Sequence, residues 1–131
     1  MRIDADSSVP IFQQIVDRLA GAIAAGVYAP GELVPSVRQL ALKLLVNPNT
    51  VQRAYEHLER EGLLVSKRGS GMEVAANAPS LAADRSVQNV SASFKQGIET
   101  GLAAHLTRSA IEGIYRNAWN GHGDSTSEER R

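Results

Sequence analysis

The sequence predicts a mainly α-helical protein in which a helix-turn-helix unit is followed by a β-hairpin and by two further helices. Apolar residues recur at helical spacing in five separate segments of the chain. An Asn-Pro pair divides the second segment from the third, and the period of the pattern shortens after Gly62. The chain has 131 residues, which suits one small domain with an appended segment.

The first helix is predicted from an apolar stripe that repeats every four residues. Its members are Ile11, Ile15, Leu19 and Ile23. Pro10 suits the first helical position, where a missing N–H costs nothing, and Gly26 is placed to end the helix. The Pro30-Gly31 pair that follows predicts a turn.

The second and third helices are predicted from their caps as well as from their stripes. Ser36 and Gln39 have the spacing of a capping box, so the second helix starts at Ser36. It must stop before Asn47, which is a good N-cap, and Pro48 fits the first position of the third helix. Gly62 is placed to close that helix. Two helices joined by a turn of about three residues have helix-turn-helix geometry.

After Gly62 the pattern predicts a small β-hairpin. Residues 63–66 form the first strand, residues 67–71 form a turn rich in glycine and basic residues, and residues 72–74 form the return strand. Residues 75–83 have the composition of a linker around Pro79.

A fourth and a fifth helix are predicted beyond this linker. Apolar residues fall near heptad spacing from Val87 onward, and a further stripe begins at Ile111 behind Thr107, which is a suitable cap. Polar residues dominate from Asn120, so we expect a disordered tail over 120–131.

Charge is distributed unevenly, although the net charge of the chain is zero. Residues 36–72 carry six basic and three acidic side chains, whereas the segments before and after them are net acidic. A contact with a polyanion would therefore lie in this middle segment.

Several classes of protein are excluded by composition. The absence of cysteine rules out a disulfide scaffold, a thiolate nucleophile and a cysteine-zinc site. The three histidines lack metal-ligand spacing and no nucleophile motif occurs, so we expect neither an enzyme nor a bound cofactor. No apolar run approaches the roughly 20 residues needed to span a bilayer, and the N-terminus lacks a secretory h-region. We expect a cytoplasmic protein without a membrane partner.

The third helix exposes residue types that read DNA bases on the face opposite its apolar stripe. Asn49, Thr50, Gln52 and Arg53 lie in its first turns, where arginine can read guanine and asparagine or glutamine can read adenine. The three acidic residues of this helix come later and would stay away from phosphates. The alternative is an ordinary solvated helix face.

Two neighbouring features could also contact DNA. Arg38, beside Ser36 in the first turn of the second helix, could reach a phosphate or a base edge, or could be an ordinary surface arginine. The hairpin tip could contact the DNA backbone or minor groove, or could be a mobile solvated turn. Its residues are Lys67, Arg68, Gly69, Ser70 and Gly71.

These motifs together resemble the GntR family of bacterial transcription regulators. The resemblance covers about residues 9–75 and is carried by the run 31–41, the run 46–55, the segment Leu58–Leu63 and the Gly69-Ser70-Gly71 turn. It implies a winged helix-turn-helix over residues 1–76. It also implies DNA contacts from Ser36, Arg38, Asn49, Thr50, Gln52 and Arg53 and from the wing tip, with a recognition helix 48–61 in the major groove and a wing 64–74 on the backbone or minor groove.

The chain departs from many members of the family at Asn47-Pro48, where a serine or threonine followed by arginine is common. The Asn-Pro-Asn-Thr form and the short C-terminal segment resemble the YtrA-like branch. That resemblance implies a homodimer that binds a palindromic double-stranded operator and represses its own operon, with transporter genes commonly among the targets of this branch. It identifies no small-molecule effector. The alternative function is a winged-helix module for protein–protein assembly without a specific operator.

The two C-terminal helices, over residues 77–119, are predicted to form a dimerisation segment. Two amphipathic helices are too few for an independent core, so they would bury their stripes against a second copy or else fold back on their own chain. The stripe residues are Val87, Val90, Phe94, Ile98, Leu102, Ile111, Ile114 and Tyr115.

Overall fold

The computed structural model describes residues 1–122, and its elements follow the predicted order. The helices are α1 (Ile11–Ala24), α2 (Val37–Leu44), α3 (Pro48–Arg60), α4 (Ala78–Ala103) and α5 (Arg108–Asn120), and the strands are β1 (Leu64–Lys67) and β2 (Gly71–Val74). The predicted fold class is confirmed. Most of the expected disordered tail, residues 123–131, lies outside the described residues, but Asn120 is wrongly included in it because it belongs to α5.

The hydrophobic core lies in a first compact unit, Met1–Gln88. Ile15, Leu19 and Ile23 of α1 are completely buried, and so are Val51 and Leu58 of α3. Each buried side chain of this kind contributes about 1.5–3 kcal/mol relative to an exposed one. The predicted stripes of α1 and α3 thus form the centre of this unit.

The caps of α2 and α3 are confirmed. The Gln39 backbone N–H donates to Ser36 Oγ, the Ser36 N–H donates to Gln39 Oε1, and Asn47 caps a helix that has Pro48 in its first turn. Gly62, with φ of +82°, closes α3 as predicted.

The expectation for Pro10 is wrong, because Pro10 is the N-cap of α1 with ψ of 146° and the helix begins one residue later. The side chain of Gln14 explains this, since its Nε2 donates to the backbone oxygens of Asp4 and Val9. These bonds hold the preceding chain in a non-helical path up to Pro10.

The hairpin is antiparallel, and its strands lie slightly later in the chain than expected. Leu64 pairs with Val74 and Lys67 with Gly71. Leu63 does not begin the strand because its N–H donates to Leu58 O, which completes the end of α3.

The other edge of β2 is also paired. Val34 N–H donates to Met72 O, and Gly31 N–H donates to Val74 O. The segment that leads into α2 is thereby attached to the hairpin.

The expected linker over residues 75–83 is wrong, because α4 begins at Ala78. Ala78 and Ala82 are completely buried, and Pro79 lies in the first turn, where its missing N–H costs nothing. Arg85 is only 14% exposed and forms ion pairs with Glu61 and Asp17, which lie in the other parts of this unit. The domain boundary after residue 76 stays a prediction.

A second compact unit begins at Asn89 and contains the rest of α4 together with α5. The Ala110 N–H donates to Thr107 Oγ1, which confirms the predicted cap of α5. Gly101 is buried, and a Cβ atom at this position would lie 2.8 Å from Ile111 Cδ1. A glycine here therefore allows α4 and α5 to approach closely.

Candidate nucleic-acid interface

The start of α2 is held against α3 by a buried tyrosine. Tyr55 is 2% exposed, and its hydroxyl donates to Pro35 O at 2.6 Å. Burial, with a smaller contribution from the charge of Tyr28, raises the pKa of the Tyr55 phenol far above its usual range. The hydroxyl therefore remains a donor, and Ser36 and Arg38 are presented next to α3.

Ser36 and Arg38 are both exposed at this end of α2. The Ser36 oxygen already accepts the capping bond from Gln39, but its O–H is still able to donate to a phosphate. Arg38 also lines a shallow cleft of about 320 Å³ with Leu42, Leu45 and Pro48. The leucines of this cleft are 71% and 90% exposed.

The first turns of α3 present the predicted base-reading residues. Asn49 and Gln52 are exposed, whereas Thr50 is half-buried. Gln52 Nε2 donates to Glu56 Oε2 over 3.3 Å, a long hydrogen bond on an exposed surface. Asn47 Oδ1 accepts from the Asn49 N–H, so the cap leaves the Asn49 side chain available.

Arg53 is exposed, and its charged group lies over an aromatic ring of α1. Its guanidinium carbon is 3.7 Å from the centre of the Phe12 ring, within the range of a cation–π contact. The His57 ring meets Phe12 edge-on at 6.4 Å between centroids, and His57 is itself paired with Glu61. The sequence gives no sign of this contact, because it depends on how α1 packs against α3.

A cleft of about 400 Å³ opens beside Arg53. It is lined by Pro10, Ile11, Phe12, Asn49, Thr50 and Arg53. Two elements far apart in the sequence therefore contribute to the surface around the predicted base-reading residues.

The hairpin tip presents its predicted residues in the exposed turn, from Lys67 to Gly71. Lys67 Nζ lies 3.7 Å from Glu73 Oε2, whereas Arg68 forms no ion pair among the residues that the structure describes. Ser66 Oγ donates to Glu59 Oε2 at 2.8 Å, which ties the base of the hairpin to α3. This hydrogen bond does not follow from the sequence, because it depends on packing between elements.

The predicted dimerisation residues form a largely exposed surface. Seven of the eight are exposed, among them Phe94 at 52% and Tyr115 at 47%, and Ile111 is half-buried. The rings of Phe94 and Tyr115 are 5.8 Å apart, and Tyr115 contacts Trp119 at 6.0 Å. Trp119 was missed, although its position four residues after Tyr115 places it on the same helix face.

The described residues show neither a metal-binding group nor a membrane span. No set of three His, Asp or Glu residues within 1–122 is arranged to hold a metal ion. Within the same range, no helix is both long and apolar enough to cross a bilayer.

Comparison with known proteins agrees with these features. The family described as "Bacterial regulatory proteins, gntR family" matches residues 11–74. The HTH-type transcriptional repressor YtrA of Bacillus subtilis is 35% identical over 88% of this chain and 86% of its own length. A GntR family transcriptional regulator from Listeria monocytogenes has a TM-score of 0.65 and 30% identity, covering 86% of this chain and 97% of that one.

One of the solved structures similar to this chain is a complex with an operator. It is AraR(DBD) in complex with operator ORE1, with a TM-score of 0.51 and 26% identity over 56% of this chain and 89% of that one. The curated relative YtrA is a regulator rather than an enzyme. With its winged helix-turn-helix and C-terminal helices, the chain belongs to the GntR family of DNA-binding transcriptional regulators and is YtrA-like.

Proposed function

We propose that the protein is a cytoplasmic homodimer that binds a palindromic double-stranded operator and represses its own operon. The observation that carries this proposal is the joint exposure of the α2 start, the first turns of α3 and the hairpin tip in a segment with excess positive charge. The proposed contact residues are Ser36, Arg38, Asn49, Thr50, Gln52, Arg53, Lys67, Arg68, Gly69, Ser70 and Gly71.

Base reading is assigned to α3 in the major groove. Asn49 and Gln52 have the side-chain amides that pair with adenine, and Arg53 has the planar fork that pairs with guanine. Gln52 would exchange its long bond to Glu56 for a bond to a base. Because the apolar stripe of α3 is buried in the core, the helix would enter the groove as a rigid element.

Backbone and minor-groove contact is assigned to the hairpin tip. Arg68 is exposed and forms no ion pair in the described part of the chain, so its charge is available to a phosphate. The exposed turn at Gly69 and Gly71 lacks side chains that would hold the DNA backbone away.

Dimerisation is assigned to the exposed stripe of α4 and α5. Several large apolar side chains of this stripe are about half exposed, which costs free energy in water. That cost is removed when a second copy of the chain covers the stripe. A two-fold dimer presents two recognition helices and therefore requires an operator with two-fold sequence symmetry.

Repression is inferred from the similarity to YtrA of Bacillus subtilis, which is named as a transcriptional repressor. The family resemblance adds the expectation that the protein acts on its own operon and on transporter genes within it. A dimer bound at the promoter of that operon would then regulate its own synthesis.

Footprinting on the protein's own promoter tests the proposal, together with binding measured at several salt concentrations. We expect a protected palindrome. We also expect the double variant Lys67→Ala, Arg68→Ala to reduce the magnitude of the slope of log K against log salt by about 0.9 for each lost phosphate contact. Arg108→Ala is the control, because Arg108 pairs with Glu112 within α5. Equal binding to scrambled DNA would contradict the proposal and favour a protein-interaction module.

A further inference from the structure

Within the part of the chain that the structure describes, the charged group of Arg53 contacts one side chain, the ring of Phe12. The guanidinium carbon lies 3.7 Å from the ring centre, and Arg53 takes part in none of the ion pairs of the described residues. The two residues belong to different helices, since Phe12 is near the start of α1 and Arg53 is in the second turn of α3.

This contact restricts the arginine without using its hydrogen-bond donors. A cation–π contact uses none of the guanidinium N–H groups as hydrogen-bond donors, and these are the groups that pair with guanine O6 and N7. Bidentate pairing requires the plane of the guanidinium to match the plane of the base. A free arginine loses rotamer freedom when it adopts that plane, whereas a stacked arginine has already lost part of it.

The ring of Phe12 is itself held in place. Phe12 is half-buried against the core, and His57 meets it edge-on. His57 pairs with Glu61, which also accepts a hydrogen bond of 2.7 Å from Arg85 Nε. The ring on which Arg53 rests is therefore contacted by His57 of α3, and His57 is paired with Glu61, which Arg85 of α4 holds in place.

We propose that Phe12 is a positioning residue for DNA recognition, which orients Arg53 so that its N–H edge reads one guanine of the operator. The inference rests on the proposed function, because it assumes that Arg53 contacts a base. Phe12 does not touch the DNA base in this arrangement and acts only through Arg53.

The test measures base preference position by position. Wild-type protein, Arg53→Ala, Phe12→Leu and Phe12→Tyr select duplexes from the same random-sequence pool, and the bound duplexes are sequenced. Phe12→Leu keeps an apolar side chain but removes the ring, and Phe12→Tyr keeps the ring. An exposed cation–π contact corresponds to about a two- to fivefold effect.

We expect Arg53→Ala to abolish the preference at one operator position. Phe12→Leu should lower the preference at that same position by about two- to fivefold and leave the other positions unchanged, while Phe12→Tyr should match the wild type. A purely structural role for Phe12 would weaken all positions alike. If Phe12→Leu fails to fold, Phe12→Met serves as the second ring-free variant.

A spectroscopic signature provides an independent readout. Stacking on the ring should shift the NMR signals of the Arg53 side-chain protons upfield, and Phe12→Leu should remove this shift. If Arg53→Ala abolishes the base preference at one position while the ring-free variants keep the wild-type preference there, the inference is wrong and the proposed function stands. If the wild-type protein selects no sequence, the proposed function itself is wrong.

Discussion

The two compact units of the chain differ in what their apolar side chains contact. In Met1–Gln88, a core of large apolar residues that includes Ile15, Leu58 and Leu64 is almost completely buried. In residues 89–122, Gly101 is the only residue that is buried, while Phe94, Ile98 and Ile114 are about half exposed. One unit contains a core of its own, whereas the other exposes large apolar side chains at its surface.

This difference indicates how each unit is stabilised. Helix propensity alone gives marginal stability, and most helices in proteins depend on the burial of an apolar face. The first unit meets that condition within one chain. The second unit is expected to meet it only through a partner, which is the physical basis for the proposed dimer.

Phe94→Asp should have the largest effect. It places a charge in the stripe that a second copy would cover, at a cost of several kcal/mol, so we expect a monomer in which the first unit remains folded. Light scattering measures the mass, and binding to a palindromic duplex should collapse. Gln96→Asp, which adds the same charge on another face of α4, is the control. A Phe94→Asp protein that remains a dimer would place the dimer contact elsewhere.

Tyr55→Phe should affect the first unit alone. Loss of the hydroxyl leaves Pro35 O without its donor and should lower the free energy of unfolding by about 1–3 kcal/mol, with dimerisation unchanged. Chemical denaturation measures this difference.

The pH dependence provides a second signature of Tyr55. Burial raises the pKa of the Tyr55 phenol in the folded protein. The contribution of this hydroxyl to the free energy of unfolding is therefore complete below the pKa of an unfolded tyrosine, about 10, and is lost as the pH rises further. The stability of the wild type should therefore fall more steeply above pH ~10 than that of Tyr55→Phe. Parallel curves would show that the hydroxyl is not buried in solution.

Leu45→Gly should have the smallest effect, and it should stabilise the protein. Leu45 ends α2 with φ of +58° and is 90% exposed, so its side chain adds strain without burial. Glycine should remove about 1 kcal/mol of this strain, and a thermal melt should show the first unit unfolding at a higher temperature. Leu45→Ala is the control, because it keeps a Cβ atom and should gain little. Equal melting temperatures for the two variants would show that glycine relieves no backbone strain at position 45.

The features that the sequence predicts well are those that depend only on residues close together in the sequence. The caps at Ser36, Asn47 and Thr107 each need only a side chain and a backbone N–H two or three residues away. The linker expectation failed at Ala78 because small residues around a proline look the same whether or not another element buries them. Only the packing of this helix onto the core reveals the difference.

The candidate interface divides in the same way. The exposed residues of α3 follow from helical geometry, which is why Asn49 and Gln52 are predictable from the sequence. The stacking of Arg53 on Phe12 depends on how α1 packs against α3, and so does not follow from the spacing of either helix. Trp119 was missed for a simpler reason, since the predicted dimerisation residues ended at Tyr115.

The position of Trp119 gives the protein a built-in optical reporter. It is the single tryptophan of the sequence, it lies in α5, and it is 44% exposed beside Tyr115. Fluorescence excited at the red edge of the absorption band therefore arises from the C-terminal helices alone. Association of two chains through this face would move the emission to shorter wavelength, so a dilution series of unlabelled protein would yield the dissociation constant directly.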